Sequence, residues 1–225
     1  MRPRTTGLRL SSAGTIALFA LLAVSSAVSC RGARSGPEAE LPEYGTVPDF
    51  SLLDAAGKTV SRGDLVGEVW IADFIFTRCA GACPSMTAKM GWLQSALEAS
   101  PGGTAKDSAG SSARRIRLVT FTVDPDNDTP QILRGYAAAA GARSDRWLFL
   151  TGGREAIRKL SERGFKLSAE TDPQAAATLG GPAVTHSQKF VLVDQESRIR
   201  GYYDGTDEDA VRRLARDARS LAAGA

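Results

Sequence analysis

The sequence is poor in histidine and cysteine, with one histidine and three cysteines among 225 residues. It also lacks a marked excess of either charge, because 28 basic residues stand against 25 acidic ones. The arginines are scattered along the chain rather than clustered, which argues against nucleic acid as a partner. Hydrophobic residues make up 43% of the chain, an ordinary globular balance that supplies enough apolar material for a folded core.

The first 30 residues predict an export signal. Three arginines within the first nine residues are followed by an apolar stretch at residues 16–28, and small residues precede Cys30. The run AVSC at residues 27–30 resembles a bacterial lipobox, which implies that Cys30 becomes the lipidated first residue of the mature protein. An uncleaved membrane anchor and ordinary cleavage are the alternatives. We expect an exported protein, attached through its N-terminus to the outer, periplasmic side of a bacterial cytoplasmic membrane or anchored there by lipid.

Residues 31–45 are rich in Gly, Pro, Glu and Ala and show no apolar period, which predicts a flexible tether. The domain itself is predicted over residues 46–225. Since Cys30 belongs to the export segment, the domain contains one pair of cysteines, in a compartment where disulfides can persist.

The domain begins with a predicted β-hairpin and continues as alternating strands and helices, β-α-β-α-β-α. It closes with a second hairpin, predicted at residues 189–193 and 199–203, and a final amphipathic helix. This order predicts one α/β domain, a thioredoxin-like three-layer sandwich with an N-terminal β-hairpin extension. In such sheets, the loops at the carboxyl ends of parallel strands form the site. The loops after Phe76 and after Val123 should therefore lie at one edge.

The motif FTRCAGACP at residues 76–84 places Cys79 and Cys83 between a buried strand and a helix. Cys83 is predicted at or just before the helix N-terminus, where the helix dipole and free N–H groups lower the pKa of a thiol. The spacing of three residues, wider than in thioredoxin-type oxidoreductases, allows both sulfurs to bind one Cu(I) or Zn(II) ion. Thiol–disulfide exchange is the other chemistry open to the pair, and a plain disulfide or two unrelated small buried residues are the structural alternatives.

His186 precedes the predicted strand at residues 189–193, and in a thioredoxin-like fold the loop entering this strand packs against the cysteine loop. Two thiolates and one imidazole form a soft three-ligand site suited to Cu(I), and to Cu(II) if an oxygen ligand joins. Zn(II) normally requires a fourth ligand that the sequence does not obviously supply. Met86 and Met90 are soft donors too, but they share an apolar stripe with leucines and are predicted to belong to the core.

These motifs together resemble the Sco/SenC family of copper-binding thioredoxin-like proteins. The resemblance rests on FTRCAGACP, on VDPDNDTP at residues 123–130 and on a histidine shortly before KFVLVD, and it covers roughly residues 47–221. It implies that Cu(I) or Cu(II) is bound by the residues matching Cys79, Cys83 and His186. It also implies a metallochaperone-like role in maturing the Cu-A site of cytochrome c oxidase. A copper-accepting oxidase subunit is then the expected partner, with other copper carriers or thiol reductants as further partners.

One departure from that family is Thr185, since an acidic residue often precedes the histidine. Asp124 is a candidate acidic neighbour of the site, or simply a turn and helix-capping residue. The alternative function is a membrane-attached thiol–disulfide oxidoreductase, in which Cys79 and Cys83 are catalytic and metal delivery is not obligatory. A thiol peroxidase is disfavoured, because such enzymes place Pro and Thr shortly before the reactive cysteine and residues 76–78 contain no proline.

Overall fold

The computed structural model describes residues 40–98, 116–167 and 187–224. The predicted export signal, Cys30 and His186 lie outside these ranges, so what the sequence predicts for them stays a prediction. None of the described helices is both long enough and apolar enough to cross a membrane.

Within these ranges the chain forms eight strands and four α-helices. The strands are β1 (Gly45–Thr46), β2 (Ser51–Asp54), β3 (Thr59–Ser61), β4 (Val69–Ile75), β5 (Ile116–Thr122), β6 (Trp147–Thr151), β7 (Lys189–Val193) and β8 (Arg198–Asp204). The helices are α1 (Cys83–Glu98), α2 (Pro130–Ala139), α3 (Arg154–Lys159) and α4 (Glu208–Ala223). A short 3-10 turn at Arg62–Leu65 follows β3, and a π-helical turn at Leu160–Gly164 continues α3.

The strands form one mixed sheet in the order β1-β8-β7-β4-β5-β6-β2-β3. Strand β4 lies near the middle and is buried at every residue, which fits its continuous apolar and aromatic composition. It pairs in parallel with β5, and β5 pairs in parallel with β6. The loops that follow these strands therefore open at one edge of the sheet, here named the carboxyl edge. Strand β7 is antiparallel to β4 and begins at this same edge.

Helices cover both faces of the sheet and complete three layers. One face is covered by residues of α1, α2 and α4, among them Met86, Met90, Leu93, Leu133, Val211 and Leu214. The other face is covered by α3 and the turn after it, where Ile157, Leu160 and Phe165 cluster with Trp70, Phe74 and Phe121. Met86 and Met90 are buried among leucines, so their predicted place in the core is confirmed.

The predicted N-terminal hairpin is also present. Strands β2 and β3 pair in the register Ser51↔Ser61, and Gly57 in their turn has a φ of +81°, a conformation that favours glycine. The hairpin joins the sheet through β2, which pairs antiparallel with β6. Apart from β1, the order of elements and the layers are those that the sequence predicts.

Strand β1 has no counterpart among the predicted elements. It pairs with the start of β8, and the chain before it is bound by Arg200, whose side chain is almost fully buried. Arg200 forms an ion pair with the buried carboxylate of Asp194 at 2.9 Å and donates to the carbonyl oxygen of Pro42 at 3.1 Å. A two-residue strand is too short to produce a period in the sequence, so only tertiary pairing defines it.

A buried acid lies in the middle of β4. Asp73 is fully buried, and the hydroxyl of Thr120 on β5 donates to its Oδ1 at 2.6 Å. The indole N–H of Trp147 donates in turn to the Thr120 oxygen at 2.8 Å. The second oxygen, Oδ2, has no hydrogen-bond partner among the described residues. Burial raises the pKa of Asp73 from 3.8 to about 7, against the opposing effect of the Thr120 hydrogen bond.

The raised pKa of Asp73 predicts a pH-dependent stability. Between its unfolded pKa of 3.8 and its folded pKa of about 7, the folded state keeps the proton that the unfolded state loses, so the free energy of unfolding falls as pH rises. Asparagine resembles the protonated acid and does not titrate. As pH rises through this range, the free energy of unfolding of Asp73→Asn should therefore increase relative to that of the wild-type chain. Urea unfolding at the lowest and the highest pH of the range measures the difference.

Asp49→Asn is the matched control, because the Asp49 side chain is 86% exposed. It should leave the slope of stability against pH unchanged. If the free energy of unfolding had the same pH dependence in the wild type and in Asp73→Asn, Asp73 would already be ionised in the folded protein across this range.

Candidate functional site

The cysteine loop, residues 76–83, leaves the sheet at the carboxyl edge directly after β4. The N–H of Cys79 donates to the carbonyl oxygen of Phe76 at 3.1 Å, which closes a tight turn. Helix α1 begins at Cys83, and its first i→i−4 bond runs from the N–H of Met86 to the carbonyl of Ala82 at 3.0 Å. Pro84 therefore falls in the first turn, where its missing N–H has no cost. The strand-loop-helix geometry predicted for the motif is present.

The structure brings Cys79 and Cys83 together. Both thiols are free; Cys79 is half-buried, whereas Cys83 is only 2% exposed. The Cys83 thiol hydrogen-bonds to Cys79, and the backbone N–H of Phe76 also hydrogen-bonds to Cys83. One sulfur is thus accessible from solvent and the other is held behind it in the protein interior. Such a pair can exchange with a disulfide through the outer sulfur or enclose a soft metal ion with both.

The sequence predicts a lowered thiol pKa at the helix N-terminus, and for Cys83 this prediction is wrong. Burial raises the pKa of Cys83 well above its ordinary value, and the hydrogen bond to Cys79 raises it further. The hydrogen bond from the Phe76 backbone acts in the opposite direction but does not compensate. The cost of removing a thiolate from water is therefore larger here than the gain from the helix terminus. Without a metal, the Cys83 side chain is a neutral thiol.

Asp124 lies next to the cysteine loop, where it forms an ion pair with Arg78 at 2.7 Å. Its carboxylate side chain is 8% exposed, whereas the Arg78 side chain is 47% exposed. Its carbonyl oxygen also accepts from the N–H groups of Asn127 and Asp128, at 3.1 and 2.8 Å. Asp124 therefore shapes the turn and is an acidic neighbour of the loop, whereas the prediction that it caps the helix is wrong, because Thr129 is the N-cap of α2.

Asp128 has a role that the sequence did not indicate. The N-cap of α2 is Thr129, whose hydroxyl oxygen accepts from the N–H of Ile132. Asp128 instead points toward the cysteine loop, where its carboxylate accepts from the N–H and the hydroxyl of Thr77 at 3.0 and 2.5 Å. The two residues are 51 positions apart, so no local pattern could have joined them.

His186 and Cys30 lie outside the described residues, as does Thr185. Within the part of the chain that the structure describes, no group of three or more His, Cys, Asp or Glu side chains is arranged to hold a metal ion. Ser187 is the first residue of the last described range and lies immediately before β7. Since β7 pairs antiparallel with β4 in the register Ala72↔Val191, its first residues lie beside the end of β4, at the carboxyl edge.

Comparison with known proteins places the chain among close structural relatives. The family model described as SCO1/SenC matches residues 38–223. The SCO1 protein homolog of Bacillus subtilis is 34% identical over 175 residues, which cover 77% of this chain and 81% of that protein. The structure of BsSco, described as a member of the Sco family of cytochrome c oxidase assembly proteins with a disulfide switch, has a TM-score of 0.65 at 32% identity. That match covers 81% of this chain and 96% of BsSco.

A SCO1/SenC family lipoprotein from Bacillus anthracis is also similar in structure. It has a TM-score of 0.63 at 30% identity, and the match covers 79% of this chain and 95% of that one. Solved structures of more distant Sco proteins include copper-bound ones. The predicted thioredoxin-like α/β fold is confirmed by these neighbours. On the family match and these identities, the chain belongs to the SCO1/SenC family.

Proposed function

We propose that this protein binds copper through Cys79, Cys83 and His186 and assists maturation of the Cu-A site of cytochrome c oxidase. The observation that carries the proposal is the pair of adjacent free thiols at the carboxyl edge, one half-buried and one buried. Two thiolates are soft ligands that suit Cu(I). Sco relatives are described as cytochrome c oxidase assembly proteins, which supports an oxidase subunit as the copper acceptor.

The position of the chain around residue 187 supports His186 as the third ligand. Ser187 follows His186 directly and leads into β7, which begins beside the end of β4 and hence near the cysteine loop. An imidazole added to two thiolates extends the site toward Cu(II), because nitrogen ligands suit that oxidation state.

Proton release accompanies copper binding in this proposal. A cysteine binds a metal as a thiolate, and burial keeps Cys83 protonated in the metal-free protein. Copper must therefore displace the Cys83 proton. The hydrogen bond from the Phe76 backbone already favours the thiolate that replaces it.

Thiol–disulfide exchange is the second candidate function, and the unequal exposure of the two sulfurs favours it specifically. The Cys79 thiolate attacks a partner disulfide, and one partner thiolate leaves. The Cys83 thiol then gives its proton to the first released thiolate, and its sulfur attacks the mixed disulfide and releases the second partner thiolate. The partner gains two electrons, and this chain is left with a Cys79–Cys83 disulfide. The disulfide switch described for BsSco supports this chemistry in a relative.

We further propose that the protein is exported and held at the membrane through lipidated Cys30. The run AVSC at residues 27–30 supports lipidation. The Bacillus anthracis relative is itself described as a lipoprotein, which supports membrane attachment through a lipid.

Replacement of either cysteine should abolish tight copper binding. Cys79→Ala and Cys83→Ala each remove one of two thiolate ligands, and a two-thiolate Cu(I) site does not survive as a single thiolate. Anaerobic Cu(I) titration against a bicinchoninate competitor, with the stoichiometry read by mass spectrometry, should show one copper per wild-type chain and none bound tightly by the variants. Met86→Leu is the control, since this volume-conserving change in the same helix should keep the stoichiometry. Undiminished affinity in either cysteine variant would remove the pair from the ligand set.

Removal of the imidazole should separate the two oxidation states of copper and the two functions. His186→Ala leaves two thiolates, so Cu(I) should bind more weakly and Cu(II) hardly at all, while the thiol titre is unchanged. In cells that lack the wild-type protein, the variant should fail to restore oxidase activity, whereas the neighbouring control Thr185→Ala should restore it. Full restoration by His186→Ala, with none by Cys79→Ala, would favour the reductase function.

Removal of the lipidation site should change membrane attachment. Cys30→Ala should release the domain into the soluble fraction or leave an unprocessed precursor, whereas Ser26→Ala, outside the lipobox, should do neither. Membrane fractionation and intact-protein mass spectrometry measure both outcomes. An unchanged mass and unchanged membrane association in Cys30→Ala would favour the uncleaved anchor.

A further inference from the structure

One buried carboxylate, that of Asp128, joins the cysteine loop by hydrogen bonds to the loop that follows β5. Asp128 is fully buried, and each of its oxygens accepts two hydrogen bonds. The N–H of Thr77 and the hydroxyl of Thr122 donate to Oδ2 at 3.0 and 2.5 Å. The hydroxyl of Thr77 and the amide of Asn127 donate to Oδ1 at 2.5 and 2.7 Å. Two of the four donors thus belong to Thr77, two positions before Cys79.

The segment that presents Asp128 is itself firmly fixed. The N–H of Val123 donates to the carbonyl oxygen of Ile75 at 2.8 Å, which extends the pairing of β5 with β4 past the last ladder residue. The N–H of Asp124 donates to the Thr122 hydroxyl at 3.0 Å, and the N–H of Asp128 donates to the Asp124 carbonyl at 2.8 Å. These hydrogen bonds fix the position of Asp128 relative to the end of β5.

The hydrogen bonds that join Thr77 and Arg78 to other elements converge on one segment of the chain. Within the described ranges, the hydrogen bonds from Thr77 and Arg78 to other elements all end on residues 124–128. The bond from the N–H of Cys79 to the Phe76 carbonyl lies inside the loop and does not fix its orientation on the sheet. The Arg78–Asp124 ion pair lies partly in solvent, so it is the weaker of the two attachments. The hydrogen bonds from Thr77 to Asp128 are the buried attachment.

We propose that Asp128 is a positioning residue for the Cys79–Cys83 pair. By holding both the N–H and the hydroxyl of Thr77, it fixes the turn that presents Cys79 beside Cys83. A loop released from Asp128 samples more conformations, so the effective concentration of one sulfur at the other falls. Both properties that need two adjacent sulfurs, copper affinity and disulfide stability, should fall with it. The copper part rests on the proposed function, whereas the disulfide part does not.

The test compares Asp128→Asn and Thr77→Val with the wild type, using the full-length chain in detergent. Asp128→Asn weakens the hydrogen bonds from Thr77, and Thr77→Val removes the one from the hydroxyl. A hydrogen bond to a charged group contributes a free energy that corresponds to about tenfold in an equilibrium constant, so we expect a roughly tenfold loss of Cu(I) affinity for Asp128→Asn. In glutathione buffers, Cys79 and Cys83 give two electrons and two protons to oxidised glutathione. A tenfold less stable disulfide raises the midpoint potential by about 30 mV for a two-electron couple.

Two controls separate positioning from general stability. Thr77→Ser keeps the hydroxyl donor and should behave as the wild type, whereas Thr77→Val keeps the size and loses the donor. Asp194→Asn alters another heavily hydrogen-bonded carboxylate, which lies at the opposite edge of the sheet after β7. It should lower the unfolding midpoint and leave the potential unchanged. Alkylation mapped by peptide mass spectrometry reads the redox state of Cys79 and Cys83 separately from that of Cys30.

The outcomes are distinct. A shifted potential in Asp128→Asn and Thr77→Val, with none in Thr77→Ser or Asp194→Asn, supports the positioning role. An unchanged potential in the first two variants, or an equal shift in Asp194→Asn, overturns it, and Thr77→Val decides the matter if Asp128→Asn does not fold. A wild-type chain that binds no Cu(I) would defeat the proposed copper function. The potentials would then still test Asp128.

Discussion

The parallel pairing of β4 with β5 is the constraint on which the site depends. Seven consecutive residues pair, from Val69↔Ile116 to Ile75↔Thr122, so both strands end at the same level of the sheet. The cysteine loop and the loop of residues 123–130 therefore emerge side by side, although they are about 50 residues apart in sequence. The hydrogen bonds from Thr77 to Asp128 and the Arg78–Asp124 ion pair are consequences of this shared edge.

Several polar or ionisable groups lie buried in or near β4 and the cysteine loop. Removing them from water costs free energy that other interactions of the fold must offset. Asp73 lies inside the central strand, Cys83 lies behind the accessible sulfur, and Asp128 lies beneath the cysteine loop. Asp128 is satisfied by four donors, whereas one oxygen of Asp73 has no hydrogen-bond partner in the described part of the chain and Cys83 remains a thiol with a raised pKa. Buried ionisable groups with shifted pKa values concentrate at functional sites, because such sites use environments that a purely structural core avoids.

The two cysteines differ more than their symmetrical motif indicates. Cys79 lies in a loop held from one side by Thr77 and Arg78, and it is open to solvent on the other. Cys83 begins α1, but its side chain packs into the aromatic cluster on the face that carries α3. A reacting partner or an arriving metal ion therefore meets Cys79 first. Copper transfer and thiol exchange both benefit from this order, which explains why they are difficult to separate from the motif alone.

The sequence by itself determined the elements other than β1, their order, the strand-loop-helix around the cysteines and the membership of Met86 and Met90 in the core. These features follow from local signals: apolar periods, turn residues and the proline after Cys83. Only the tertiary structure decided the burial of Cys83, the direction of its pKa shift, and the attachment of Thr77 to Asp128. A pKa depends on how much water the whole fold removes from a group, and a buried acceptor depends on which distant donors reach it. Neither quantity is encoded in the spacing of neighbouring residues.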